Sequence, residues 1–162
     1  PPRSTLFPYT TLFRSAGYAL FQLPCPEISF AGINRFSQVI EQYDTPAYRT
    51  HCAGLAGFVL DQLEPFLLND FRVVLIGLDG SPSCGVDLTG SSSEWKGFPP
   101  AVRFDEKYPV REGSGVFIRE FRREIDRRGL AHPPYYGVPL DKFGVDLGAI
   151  KEELLAKLRA SG

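Results

Sequence analysis

The chain of 162 residues carries 18 basic and 19 acidic side chains, a formal net charge of −1 at pH 7, and is 43% hydrophobic, enough for one domain with a buried core. A balance so close to zero disfavours nucleic acid as a partner, and no run approaches the ~20 consecutive apolar residues of a membrane-spanning helix. Three cysteines, an odd number in a chain too large to depend on disulfides, suit a reducing cytoplasm or a metal site better than a disulfide framework.

Residues 1–15, PPRSTLFPYTTLFRS, show no amphipathic period and match, codon for codon, the translation of a widely used sequencing adapter. They also lack the basic start and apolar core of a signal peptide. Residues 1–15 are therefore read as a non-native adapter-derived segment, and residues 16–162 as one α/β domain truncated at its N-terminus. Setting Arg3 and Arg14 aside makes the native balance more acidic.

Tyr18 to Leu23, stopped by Pro24, reads as a short buried parallel strand. Phe30 to Tyr43 reads as a loop. Thr45 before Pro46 is a helix start: a hydroxyl at the N-cap, then proline at the first helical position, where its missing N–H costs nothing. Tyr48, Cys52, Leu55, Val59, Leu63 and Leu67 recur at three- and four-residue spacing, so one stripe of this helix faces the core, and Pro65 is expected to kink its last turn. Cys52 on that stripe reads as a core thiol, and His51 beside it as a surface histidine.

Phe71 to Leu78, closed by Asp79-Gly80, is the clearest strand, with the apolar character of a central strand covered on both faces. Val86 to Glu112 has little period and reads as a long functional loop. Ser114 to Gly129 is a second amphipathic helix with Phe117, Phe121 and Ile125 inward and Gly129 as C-cap; its arginines interleave with acidic residues as a salt-bridged outer face. Tyr135 to Val138 is a further strand, and Asp146 caps a last helix whose stripe is Leu147, Ile150, Leu154 and Leu158. The order βαβαβα predicts a three-layer α/β sandwich with a mainly parallel sheet, Rossmann-like or flavodoxin-like.

Cys25-Pro26-Glu27 and Ser81-Pro82-Ser83-Cys84-Gly85 each follow a predicted strand. Ligands gather at the carboxyl ends of strands in open α/β sheets, so both thiols are expected at one rim. Neither motif is a Cys-x-x-Cys pair, which argues against a zinc site built from two such pairs; iron-sulfur clusters accept thiolates from distant loops. Glu27 can carry protons for anything bound beside Cys25, or it can cap the following turn or pair with Arg35. Ser81 and Ser83 can donate to a ligand or simply make a turn. Gly113-Ser114-Gly115 opens a helix where free N–H groups can hold an anion.

Together, Leu23-Pro24-Cys25-Pro26-Glu27, Tyr43-Asp44-Thr45-Pro46, Gly80-Ser81-Pro82-Ser83-Cys84-Gly85-Val86 and Gly113-Ser114-Gly115-Val116-Phe117 resemble the thiouracil desulfidase (TudS) family, most closely its TudS-related branch, from about Gly17 to Val138. The resemblance implies a 4Fe-4S cluster on three cysteines, with Cys25 and Cys84 as ligands, Glu27 as the proton carrier and Ser81 as a substrate-positioning hydroxyl. It implies a small thiocarbonyl substrate such as a thiolated pyrimidine. The family's first cysteine falls where the adapter segment stands here, so the resemblance also implies that one ligand is missing from this chain. Two other classes stay open: a non-catalytic iron-sulfur binding or sensor domain, and a flavodoxin-like nucleotide-binding domain without metal.

Overall fold

The computed structural model describes residues 17–95, 109–139 and 147–160. The chain divides into two compact units, one of Pro1–Leu23 with Gly144–Gly162 and one of Pro24–Phe143. The first contributes one described helix, Leu147–Ala160, which buries Leu154, Leu155 and Leu158. Asp146, its expected cap, lies outside the described residues, as do the side chains of Leu147 and Ile150.

The second unit is mixed α/β. In chain order it contains α1 (Pro26–Ala31), α2 (Ile40–Tyr43), α3 (Pro46–Leu67), β1 (Leu75–Asp79), β2 (Leu88–Gly90), β3 (Val110–Glu112), α4 (Val116–Arg128) and β4 (Tyr135–Pro139). β1 and β4 pair in parallel, from Leu75 opposite Tyr135 to Asp79 opposite Pro139. β2 and β3 form a separate antiparallel pair, with Thr89 opposite Arg111.

Local chemistry accounts for the two long helices. Thr45 Oγ1 accepts the Tyr48 N–H at 3.2 Å, and Pro46 follows it, as the N-terminal signal requires. α3 continues through Pro65 and ends two residues later. α4 ends at Gly129, whose φ of 64° is the left-handed conformation that stops a helix; its N–H reaches back to the Asp126 and Ile125 carbonyls. The two helices pack on each other, α3 through Tyr48, Cys52, Ala56, Val59 and Leu60, α4 through Val116, Phe117, Ile118, Phe121 and Ile125, all buried.

Charges fasten the same pair at its rim. The Arg128 guanidinium meets Glu124, Asp61 and Glu64 at 2.7 to 2.9 Å and donates to the Gly57 carbonyl. Arg119 of α4 and Arg49 of α3 share Asp44. The expected salt-bridged arginine face is present.

Three expectations change. Tyr18–Leu23 forms no strand: Leu20 and Phe21 are 42% and 46% exposed, and the run joins neither sheet of the described residues. An apolar run becomes a strand only where a neighbour supplies its hydrogen bonds. The loop expected from Phe30 to Tyr43 follows the short helix α1 and contains α2, and the long loop from Val86 carries β2 and β3, three residues each. Finally, β1 is not covered on both faces: Leu78 is exposed and Ile76 half-buried.

Candidate functional site

The two cysteine motifs meet beyond the carboxyl end of β1. Cys25 is the N-cap of α1 and Pro26 occupies its first turn, which turns Glu27 inward until only 8% of it is exposed. From β1, Gly80 takes a φ of 91°, open to glycine at little cost, and the chain curls into the Ser81–Gly85 turn. There Ser81 Oγ accepts the N–H groups of Ser83 and Cys84 at 3.2 and 3.0 Å and donates to Glu27 Oε1 at 3.2 Å. Ser81 is thus a turn residue, as one of its two readings has it, and its hydroxyl also donates to Glu27. Glu27 also makes the expected pair with Arg35, through its other oxygen, Oε2, at 2.5 Å.

Asp79, at the last position of β1, holds the far side of the turn. Its Oδ1 accepts the N–H groups of Val86, Asp87 and Leu88 at 2.8 to 3.3 Å. The Cys84 carbonyl takes the Leu78 N–H at 3.0 Å, so the motif itself occupies the edge of β1 at that point. Asp79 was legible only as the end of a strand.

The glycine-rich opening of α4 serves the same loop. The N–H groups of Gly115, Val116 and Phe117 bond the carbonyls of Gly85, Pro82 and Ser83 at 2.9 to 3.0 Å, and Ser114 Oγ donates to the Val86 carbonyl. A Cβ at Gly115 would collide with the Ser83 carbonyl. The expected anion cradle at Gly113-Ser114-Gly115 is therefore taken by backbone, and the nucleotide-binding reading loses the feature on which it rested.

Cys25 and Cys84 are half-buried free thiols. The Cys84 thiol is pushed up to about 12, first by burial, then by the Glu27 carboxylate and the Cys25 sulfur, with the Ser81 hydroxyl opposing. The Cys25 sulfur is thus close enough to bear on Cys84. Cys52 is fully buried in α3, and burial likewise pushes its thiol up to about 12; it is the core thiol expected. Tyr48 beside it reaches across to Ser83 Oγ at 2.7 Å, tying α3 to the motif turn.

His51 departs from its surface reading. It is half-buried, its Nε2 lies 2.8 Å from Ser29 Oγ, and its ring rests against Phe30. It fastens α1, and with it Cys25 and Glu27, to α3. A lone histidine next to a core stripe carries no sequence signal of that contact.

The four residues singled out from the sequence, Cys25, Glu27, Ser81 and Cys84, thus stand together. Cys25 and Cys84 come to the site from two segments; among the described residues no group of three His, Cys, Asp or Glu side chains is close enough to hold a metal ion. No described helix is long and apolar enough to cross a membrane.

No family model and no solved structure matches the chain. An uncharacterized protein of the archaeon Methanocaldococcus jannaschii is 35% identical over 69 residues, covering 43% of this chain and 44% of that protein. The matched part of the chain therefore spans less than half the length of the curated relative it resembles.

Proposed function

We propose that the protein is an iron-sulfur desulfidase that removes sulfur from a thiolated pyrimidine or a similar small thiocarbonyl compound in the cytoplasm. The observation that carries this reading is the meeting of two thiols, a buried carboxylate and a hydroxyl at one strand end, with Ser81 bonded to Glu27. We take the whole domain to be a three-layer Rossmann-like sandwich, of which the parallel β1–β4 pair is part.

In this reading Cys25 and Cys84 would hold a 4Fe-4S cluster whose third cysteine is none of this chain's own, Cys52 being a core thiol. When bound, the cluster supplies thiophilic iron that polarises the C=S bond. The chain's own residues do the rest. Glu27, paired with Arg35, accepts a proton from the water that adds to the thiocarbonyl carbon. Ser81 fixes that carboxylate with its one O–H, and would position the substrate by turning that O–H from Glu27 to it. Water and a thiocarbonyl give a carbonyl and hydrogen sulfide, so no oxidant or reductant is consumed.

Anaerobic reconstitution of the full-length protein with iron and sulfide, followed by measurement of sulfide released from thiouracils, tests the reading. A colourless protein without iron, or a loaded protein that releases no sulfide from any thiobase, counts against it. The second reading is a non-catalytic iron-sulfur binding or sensor domain, favoured by the engagement of Glu27 with Arg35. Glu27→Gln separates the two: an intact cluster with abolished turnover favours the enzyme, whereas unchanged turnover removes Glu27 from the mechanism.

A further inference from the structure

Gly77 of β1 and Gly137 of β4 are register partners in the parallel pair, so neither strand offers a side chain where they meet. The motif loop and its anchor take up that bare patch. A Cβ on Gly77 would collide with the Cys84 carbonyl and the Val86 side chain, and one on Gly137 with the Asp79 carboxylate. Asp79 lies two residues beyond Gly77 in β1 and so projects from the same face of the strand.

The loop itself fixes that carboxylate. Asp79 Oδ1 accepts the consecutive N–H groups of Val86, Asp87 and Leu88 at 2.8, 2.9 and 3.3 Å, the concave arrangement in which successive backbone amides hold an anion. The Leu88 carbonyl accepts the Gly80 N–H at 3.0 Å, and the Cys84 carbonyl accepts the Leu78 N–H at 3.0 Å. Bonds from the residues on both sides of Asp79, and from Asp79 itself, therefore close the loop that contains Cys84.

We propose that Asp79 is a positioning residue for Cys84: its carboxylate, seated over Gly137 and bonded to three loop amides, fixes the loop that presents the thiol to the site. Asp79 takes no part in bond breaking, and its role rests on the desulfidase reading only for what Cys84 is presented to. Gly137, on another strand, controls the same thiol by the Cβ it lacks.

The rate at which iodoacetamide alkylates each cysteine tests the role, read peptide by peptide by mass spectrometry on the full chain kept anaerobic and free of metal by a chelator. Burial pushes the Cys84 thiol up to about 12, so a loosened loop raises its thiolate fraction and its rate. Cys52, fully buried in α3, reports global opening in the same sample. Asp79→Ala is expected to speed Cys84 about tenfold, the equivalent of one net hydrogen bond, with Cys52 at its parent rate. Asp79→Asn keeps an oxygen for the amides and is expected to stay within about threefold of the parent. Gly137→Ala is expected to match Asp79→Ala and to add nothing to it in the double variant, because both act through one carboxylate.

An unchanged Cys84 rate in Asp79→Ala overturns the proposal, as does a rise of Cys52 in proportion to Cys84 or full additivity in the double variant. If Asp79→Ala fails to fold, Gly137→Ala decides by the same rates. Neither iron nor substrate enters the readout. A loosened Cys84 in a protein that releases no sulfide from any thiobase would sink the desulfidase reading alone. Sulfide release by the parent, with an unchanged Cys84 rate in Asp79→Ala, would sink only the role given to Asp79.

Discussion

The hydroxyl of Ser81 is bonded at once to the carboxylate of Glu27 and to the backbone N–H of Cys84. One side chain therefore holds both the Glu27 carboxylate and the backbone of the second cysteine. Ser81→Ala leaves two amides and one carboxylate oxygen without a buried partner, so we expect a loss of roughly 1–3 kcal/mol in stability, read by urea denaturation. Sulfide release is expected to fall with it, since Glu27 and Cys84 are both set free to move.

The docking of the motif turn on the start of α4 makes Gly115 irreplaceable. Gly115→Ala pushes a methyl group into the Ser83 carbonyl and is expected to cost about 2–4 kcal/mol, in the range of severe overpacking. Gly129→Ala, at a left-handed position with open space around it, is expected to cost only about 1 kcal/mol. Denaturation midpoints of the two variants side by side check the contrast; equal losses would mean that the turn does not rest on the helix as described.

The cysteines divide into two classes. Cys52 is fully buried among core residues of α3, so Cys52→Ala is expected to lower stability by about 1–2 kcal/mol through the cavity it leaves while keeping iron content unchanged. Cys25→Ser and Cys84→Ser are each expected to lose iron with little change in the fold. Iron per protein after anaerobic reconstitution distinguishes them.

Much of this was readable in the chain because it is local. Thr45-Pro46 and Gly129 announce helix ends through capping that involves only neighbouring residues, and the apolar run before Asp79 closes as β1. The motif pair was legible because residue types suited to metal and proton chemistry follow strand-like runs. What escaped depends on partners. Tyr18–Leu23 has the composition of a strand, yet it joins neither sheet of the described residues. α1, β2 and β3 are too short for any period to show. The Glu27–Arg35 pair was among the sequence readings, but the bond from Tyr48 to Ser83 joins residues 35 positions apart, which no spacing rule encodes.

Acid stability should follow the ion pairs between α3 and α4. Glu124 is held down to about 2, chiefly by its hydrogen bonds from Arg127 and Arg128, and Asp44 is lowered by Arg119 and Arg49 against the opposing effect of burial. A carboxylate whose folded value is depressed stabilises the fold above its unfolded value, and that contribution is lost as pH falls toward the folded value. The urea midpoint is therefore expected to drop between about pH 4.5, where unfolded carboxylates begin to protonate, and about pH 2. Glu124→Gln should flatten that limb, and a midpoint independent of pH across it would contradict the clamp.

The central claim is that Cys25, Glu27, Ser81 and Cys84 form a desulfurising site, and sulfide release from 4-thiouracil by iron-loaded protein, parent against Glu27→Gln, tests it most directly. Glutamine keeps the shape of the side chain and an oxygen for Ser81, so the cluster's visible absorption is expected to persist. Sulfide release is expected to fall by about 100-fold or more, the usual scale of a lost general base. Iron-loaded parent protein that releases no sulfide, or a glutamine variant that turns over at the parent's rate, would contradict the account.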